Sequence, residues 1–312
     1  MKSLTSDSLK GNWATLLLTT DEAGKLDYGR LEDEVETLVA AHPSGIYSNG
    51  TACEFYSQTM DEFRRISEIL ASRCEAAGVP FQIGVSHPCA GESLERLLAI
   101  RDLRPGAVQV ILPDWFPSST AAAVDFLKVM EENAGGIPMV IYNPPHAKRV
   151  MKPAEWAVLK SEVDSVIGLK VFDDNRSGEW YAQMREAKKC GLSIFIPGHH
   201  LAFGILHGAD GAYSNVSCIN PRAAQQWYET IGKDPEAAME TEGRIQKFMS
   251  ECIDPFIVRD GYPNHACDRF MALVGGWADV GPKLRWPYQS IPLSCAEAVR
   301  ARARQIIPEF FI

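Results

Sequence analysis

The chain has 312 residues, 46% hydrophobic and 23% charged, with a formal net charge of -9 at pH 7. That is enough apolar material for one large α/β barrel or two smaller domains, and the acidic balance argues against a nucleic-acid partner, whose phosphates require basic patches. No apolar run reaches the length of a membrane span. The opening MKSLTSDSLKGNWA lacks the apolar core of a secretory signal. The cysteines (Cys53, Cys74, Cys89, Cys190, Cys218, Cys252, Cys267, Cys295) form no CxxC pair. They read as reduced thiols of a cytoplasmic protein, without a disulfide framework or a structural zinc.

Eight short apolar runs follow one another: NWATLLLTT (12–20), SGIYSNG (44–50), FQIGVS (81–86), AVQVILP (107–113), PMVIYN (138–143), SVIGLKV (165–171), LSIFIP (192–197) and GAYSNV (211–216). Between them lie stretches of helical spacing such as YGRLEDEVETLVAA, TMDEFRRISEILASRCEAA and STAAAVDFLKVMEENA. Strand and helix alternating eight times predict a parallel sheet closed into a (β/α)8 TIM barrel. The first run ends TTDEAGK, which is neither GxGxxG nor a P-loop, so no nucleotide cofactor is expected. From about residue 234 the alternation stops, and EAAMETEGRIQKFMSECI, ACDRFMALVGG and SCAEAVRARARQII read as helices. The expected division is a catalytic barrel over 1–233 and a C-terminal helical extension over 234–312. The apolar end IIPEFFI is expected to dock on its own barrel, with a subunit contact as the alternative.

The candidate chemistry lies at the mouth ends of these strands. The second run leads into Gly50, Thr51, Ala52, Cys53 and Glu54. Gly50 permits a tight turn whose following N–H groups can face an anion, and Thr51 adds a hydroxyl; an ordinary strand-to-helix turn explains the same residues. The fifth run ends in Tyr142. In the sixth, alternation puts Ile167, Leu169 and Val171 on one apolar face, suited to the helix layer. Val166, Gly168, Lys170 and Phe172 then face the lumen. A buried lysine loses its charge readily and becomes a nucleophile for carbonyl carbon; a lysine reaching out to water is the alternative. Tyr142 and Lys170 end neighbouring strands, with backbones roughly 4.8 Å apart. A phenol there can pass protons to and from a carbinolamine; an aromatic cap on the core is its other reading. Cys53, near His87 or His146, lacks a motif for a cysteine nucleophile. Asp173 and Asp174 read as loop acids capping the helix over 177–189, and less as metal ligands.

GTACE (50–54), YNPP (142–145) and GLK (168–170), in this order, resemble the dihydrodipicolinate synthase/N-acetylneuraminate lyase family of class I aldolases. The resemblance covers essentially the whole chain, extension included; YNxP followed by GxK is its specific part. It implies a tetramer of barrels and a Schiff base with a 2-oxo acid, often pyruvate. By it, Lys170 is the nucleophile, Tyr142 the proton shuttle and Thr51 the relay hydroxyl, with the backbone at Gly50, Thr51 and Ala52 holding the substrate carboxylate. The chain departs from the family at Ala52, where a second hydroxyl is usual, and at Cys53, where a glycine is usual. Trp115, in Pro113-Asp114-Trp115, takes the place of the tyrosine that completes the relay across a dimer contact, and an indole only donates. Ala147, beside Lys148 and Arg149, replaces the arginine that reads a second carboxylate. These changes argue against dihydrodipicolinate synthase itself.

Related sugar-acid lyases select substrate at the end of the seventh strand, here His199 and His200. Both are candidates for bonding hydroxyls or a distal carboxylate. As a metal pair they are poor, because adjacent strand residues point to opposite faces. Tyr213, with Ser214, either walls the pocket or packs in the core. The resulting expectation is a lyase that forms a lysine Schiff base with a small 2-oxo acid and cleaves or forms a C3–C4 bond. A 2-keto-3-deoxy sugar-acid dehydratase using the same lysine, and an inactive metabolite-binding barrel, are the alternatives. No metal, cofactor, nucleic acid or membrane is expected, and the oligomer is a homotetramer or dimer.

Overall fold

Eight parallel strands close on themselves in sequence order: β1 (Gly11–Thr15), β2 (Gly45–Ser48), β3 (Phe81–Gly84), β4 (Ala107–Ile111), β5 (Met139–Tyr142), β6 (Val166–Lys170), β7 (Ser193–Pro197) and β8 (Gly211–Ser214). This computed structural model describes residues 1–144, 146–170 and 178–311. β1 pairs with both β2 and β8, so the sheet has no free edge. Each of the eight apolar runs supplies one strand, as the alternation predicts.

The return helices are α1 (Tyr28–Ala40), α2 (Met60–Ala77), α3 (Ala90–Ile100), α4 (Thr120–Asn133), α5 (Pro153–Glu162), α6 (Gly178–Lys189), α7 (Leu201–Leu206) and α8 (Pro221–Ile231). Local sequence sets their ends. Asp27 accepts from the N–H groups of Gly29 and Arg30, and Thr59 and Glu62 form a reciprocal capping box on α2.

Strand side chains divide between two layers. Ala14, Ile46, Ile83, Val108, Val110, Ile141, Leu169 and Ile194 pack outward on the helices. Trp13, Tyr47, Val140, Phe195 and Tyr213 fill the lumen, and Leu9 and Leu4 plug its lower end. Leu4 N–H donates to Gly106 O and the Ser193 hydroxyl to Leu9 O, which fixes that plug beneath the strands.

β6 departs from simple alternation. Met139 pairs with Val166 and Val140 with Gly168, so one residue is extra in β6. A bulge of this kind reverses the faces of the residues before it. Val166 therefore packs in the helix layer and Ile167 with the lumen residues, opposite to expectation. Beyond the bulge the expected order returns: a Cβ on Gly168 would lie 2.8 Å from the Leu9 side chain in the lumen, and Leu169 packs outward. Val171 and Phe172 lie outside the described residues.

After the barrel come α9 (Pro235–Phe248), a π-helical turn (Met249–Ile253), α10 (Asp254–Val258), α11 (Asn264–Gly275) and α12 (Ala296–Ile306). Their apolar faces share one buried cluster with Leu17, Ala52, Ala212, Val216 and Trp227 of the barrel side. The tail joins it through Ile306, Ile307 and Phe310, and Asn220 at the start of α8 donates to Phe310 O at 3.0 Å. The chain end thus docks on its own barrel. Among the described residues no helix is long and apolar enough to cross a membrane. All eight cysteines are free thiols.

Candidate active site

Lys170 is the last residue of β6 and pairs in register with Tyr142, the last residue of β5. Past the bulge, both side chains turn to the lumen. The lysine Nζ lies 4.3 Å from the centre of the Tyr142 ring and 5.5 Å from that of Tyr213. Both residues are half-buried at the mouth. Burial pushes the amine down to about 8, against an opposing pull from the Asp268 carboxyl. Burial, helped by Asp268, pushes the Tyr142 phenol up to about 12. The phenol therefore carries its proton at neutral pH, and it makes no hydrogen bond among the described residues.

Beneath this pair two further tyrosines form a floor. Tyr213 is 4% exposed and donates to Gln82 Oε1 at 2.7 Å; Tyr47 donates to Gln109 Oε1 at 2.6 Å, and the two rings lie 4.9 Å apart. Tyr213 thus packs in the core while presenting its ring to Lys170. Tyr47 was not foreseen, although the same alternation rule puts it inward on β2. Cys218, just beyond β8, also acts electrostatically on Lys170.

The loop after β2 closes over Tyr47. A Cβ on Gly50 would stand 1.8 Å from the Tyr47 hydroxyl oxygen, so only glycine fits there. Glu54 N–H donates to Thr51 O at 3.0 Å, forming a turn. The N–H groups of Thr51 and Ala52 have no acceptor among the described residues, which leaves two donors for an anion. The Thr51 hydroxyl is half-buried with no hydrogen bond there either; Ala52 packs against the extension. Cys53 is fully buried, and burial pushes its thiol up to about 12, contrary to what a cysteine nucleophile needs.

Glu54 ties this loop to the extension. Its carboxylate and the Arg269 guanidinium, 0% and 2% exposed, meet at 2.7 Å, and its other oxygen accepts from Arg285 N at 2.8 Å. Arg269 also donates to Leu18 O, Val280 O and Gly281 O. α11 is thereby clamped to the loops after β1 and β2, and one turn earlier His265 Nε2 meets the Tyr56 hydroxyl at 2.7 Å. The same helix carries Asp268, whose carboxyl acts electrostatically on Lys170 and Tyr142. Burial pushes its carboxyl up to about 7 against the opposing pull of Lys170. Sequence reasoning missed Asp268. The available signal was two adjacent charges, Asp268 and Arg269, among the buried Ala266, Cys267, Phe270 and Met271.

His199 and His200 follow β7. They lie in a single 3-10 turn (Gly198–His200), not on the strand, and their rings are 4.2 Å apart. Leaving the strand cancels the alternation that was to separate them. His199 Nδ1 pairs with the Asn215 amide, and Gln246 of α9 bonds His199 O and His200 Nδ1. Among the described residues no group of three or more His, Cys, Asp or Glu side chains is arranged to hold a metal ion. Asp173 and Asp174 lie outside the described residues.

Trp115 and Phe116 are 77% and 76% exposed on the loop after β4. Lys148 grips that loop, with Nζ donating to Trp115 O at 2.6 Å. Arg149 donates to Ser118 O, Thr120 Oγ1 and Glu155 Oε1, so its guanidinium joins the loop after β4 to α5.

The model of the Dihydrodipicolinate synthetase family matches residues 8–302. N-acetylneuraminate lyase of Escherichia coli O1:K1 / APEC is 25% identical over 310 residues, covering 97% of this chain and 98% of that protein. Among solved structures, YagE is a prophage protein of the dihydrodipicolinic acid synthase family from E. coli K12 in complex with pyruvate. It superposes with a TM-score of 0.82 at 18% identity, over 96% of this chain and 98% of that one. CdNal from Clostridium difficile, in complex with mannosamine, gives 0.79 at 19% identity over 97% and 99%. These structural likenesses establish the shared fold.

Proposed function

The chain belongs to the dihydrodipicolinate synthetase family and is a lyase; from that premise we propose that it forms a Schiff base between Lys170 and a small 2-oxo acid and makes or breaks the C3–C4 bond. The observation that carries this reading is the Lys170 amine, pushed down to about 8, held 4.3 Å from the Tyr142 ring centre. Its free form adds to C2, the carbonyl π pair moving to oxygen. The Tyr142 phenol gives its proton to that oxygen and takes one from nitrogen. Loss of water leaves an iminium. The C3–C4 bond then breaks, its electron pair passing into an enamine as the C4 hydroxyl proton leaves and an aldehyde departs. Protonation at C3 and addition of water return the amine and a pyruvate-type acid. The Thr51 and Ala52 N–H groups are suited to the substrate carboxylate, with the Thr51 hydroxyl beside them.

A hydroxylated sugar-type 2-oxo acid fits best. The lyase relative acts on N-acetylneuraminate by name, and Arg149 is committed to Glu155 rather than to a second substrate carboxylate. His199 and His200 are the proposed contacts for the distal hydroxyls. The free thiols fit a reducing cytoplasm, and the exposed Trp115 and Phe116 fit a contact in a homo-oligomer.

Borohydride reduction with pyruvate should leave a stable adduct on Lys170, absent from Lys170→Ala. Tyr142→Phe should slow adduct formation and C3 proton exchange by about 10²–10⁴-fold; normal turnover by that variant removes the shuttle. Aldehyde release from sugar acids marks an aldolase, and water loss without it marks a dehydratase. No adduct with any oxo acid leaves a binding barrel.

A further inference from the structure

The hydrogen bonds of the loop after β2 run in one direction. Gln58 Nε2 donates to Cys53 O at 2.7 Å. The N–H of that peptide unit, on Glu54, donates to Thr51 O at 3.0 Å. The N–H of the unit so reached belongs to Ala52 and has no acceptor among the described residues. A second series runs beside the first. Ser57 donates to Glu54 O through its hydroxyl at 2.8 Å and its N–H at 2.9 Å, and the N–H of that unit, on Phe55, donates to Gly50 O at 3.3 Å. The N–H of this last unit is that of Thr51, the other open donor. Each series thus passes through two peptide units and stops at one of the two N–H groups suited to the substrate carboxylate. A carbonyl that accepts a hydrogen bond polarises its own amide, and the amide N–H becomes a stronger donor. Gln58 heads the first series from a buried position, 8% exposed, and its Oε1 has no donor among the described residues. An unpaired buried oxygen costs free energy, and a methionine of similar length would avoid it. What the amide supplies in return is its bond to Cys53 O. Arg96, 3% exposed, fixes the backbone around it, donating to Phe55 O at 2.9 Å, to Gln58 O at 3.5 Å and to Ser86 O at 2.9 Å.

We propose that Gln58 is the positioning residue of the carboxylate site, with Ser57 heading the parallel series, and that the two together set the preference for a charged 2-oxo acid over a neutral ketone. The inference rests on the Schiff-base reading and deepens it. Gln58 touches no substrate. Its N–H holds the Cys53–Glu54 unit, which holds the Thr51–Ala52 unit, whose N–H meets the carboxylate. Ser57 does the same for Thr51 through the Glu54–Phe55 and Gly50–Thr51 units. The carbonyl oxygens of the loop are occupied in this way, so the ends left over are donors, and an anion is the ligand that two polarised donors favour. A ketone without a carboxylate offers these donors nothing and draws no benefit from them.

The test is borohydride trapping on the full chain, with the adduct mapped to Lys170, over a range of pyruvate concentrations and, separately, of acetone. Acetone offers the carbonyl without the carboxylate. Wild type should reach half-maximal trapping at far lower pyruvate than acetone. Gln58→Met should raise the half-saturating pyruvate concentration by about three- to tenfold and lower the preference for pyruvate over acetone by the same factor. Ser57→Ala keeps its backbone donor and should lower that preference by about twofold. A role in the fold alone predicts equal losses with both compounds. Unchanged pyruvate binding by Gln58→Met, or a matching loss with acetone, therefore overturns the proposal. Should that variant fail to fold, the same comparison on Ser57→Ala decides it. A wild type that traps pyruvate no better than acetone overturns the carboxylate site, and this proposal with it, while the Schiff base stands. A wild type that traps neither overturns the Schiff-base reading and all that rests on it.

Discussion

The charge state of Lys170 can be read directly by titration. An ordinary lysine amine loses its proton near 10.5, and burial brings this one to about 8. Each pKa unit is a factor of ten, so at pH 7 roughly one amine in ten is free, against about one in 3,000 for an ordinary lysine. That is about 300-fold more nucleophile. Trace acetic anhydride acetylates free amines and spares ammonium ions. Labelling of Lys170, read by peptide mass, should be half-maximal near pH 8, while the amine of an added lysine model peptide rises some two units later. Stability carries the same shift. Between the folded and unfolded pKa values the unfolded chain binds the proton that the folded chain lacks, so unfolding free energy rises with pH across that window. The cost at neutral pH is about 3 kcal/mol. Lys170→Met should accordingly raise the unfolding midpoint at pH 7, by less than the full amount because Asp268 loses its cation, and the gain should fade by pH 10.5. Half-labelling of Lys170 at the pH of the model peptide would refute the buried-amine argument.

Three other outcomes follow from the same geometry. Gly50→Ala sets a methyl 1.8 Å from the Tyr47 hydroxyl oxygen; the strain should cost about 1–3 kcal/mol in denaturant unfolding and weaken pyruvate trapping, and an unperturbed variant would show that the loop is not held against Tyr47. Arg269→Met leaves Glu54 buried and unpaired, a loss of about 3–5 kcal/mol. Adding Glu54→Gln should then cost far less than it does alone, whereas additive losses in a double-mutant cycle would dissolve the clamp. Iodoacetamide on the native chain should label the exposed Cys89 and spare Cys53, whose thiol is buried and pushed up to about 12; equal labelling of both contradicts that burial.

Much of the site could be read before folding was considered. Tyr142 and Lys170 each close an apolar run one β/α unit apart, and in a parallel barrel consecutive strands are neighbours. Their side-by-side register follows from that rule, and Gly50 announced a turn. The misreadings share one cause. The bulge in β6 reversed Val166 and Ile167, and the 3-10 turn took His199 and His200 off their strand; alternation holds only while the backbone stays regular. Arg149, beside the position of a substrate-reading arginine, turned instead to Glu155 and Ser118.

The number of strands, their order and the lysine at the end of the sixth belong to the sequence, because the two-residue period of a strand and the punctuation between runs are local properties that any short window displays. The pull of the Asp268 carboxyl on that lysine belongs to the tertiary structure. Arg269 and Glu54 are 215 residues apart in the chain. Their ion pair exists only once the extension has folded back over the mouth, and the lowered amine and raised carboxyl that result are properties of the enclosed volume, absent from either segment alone.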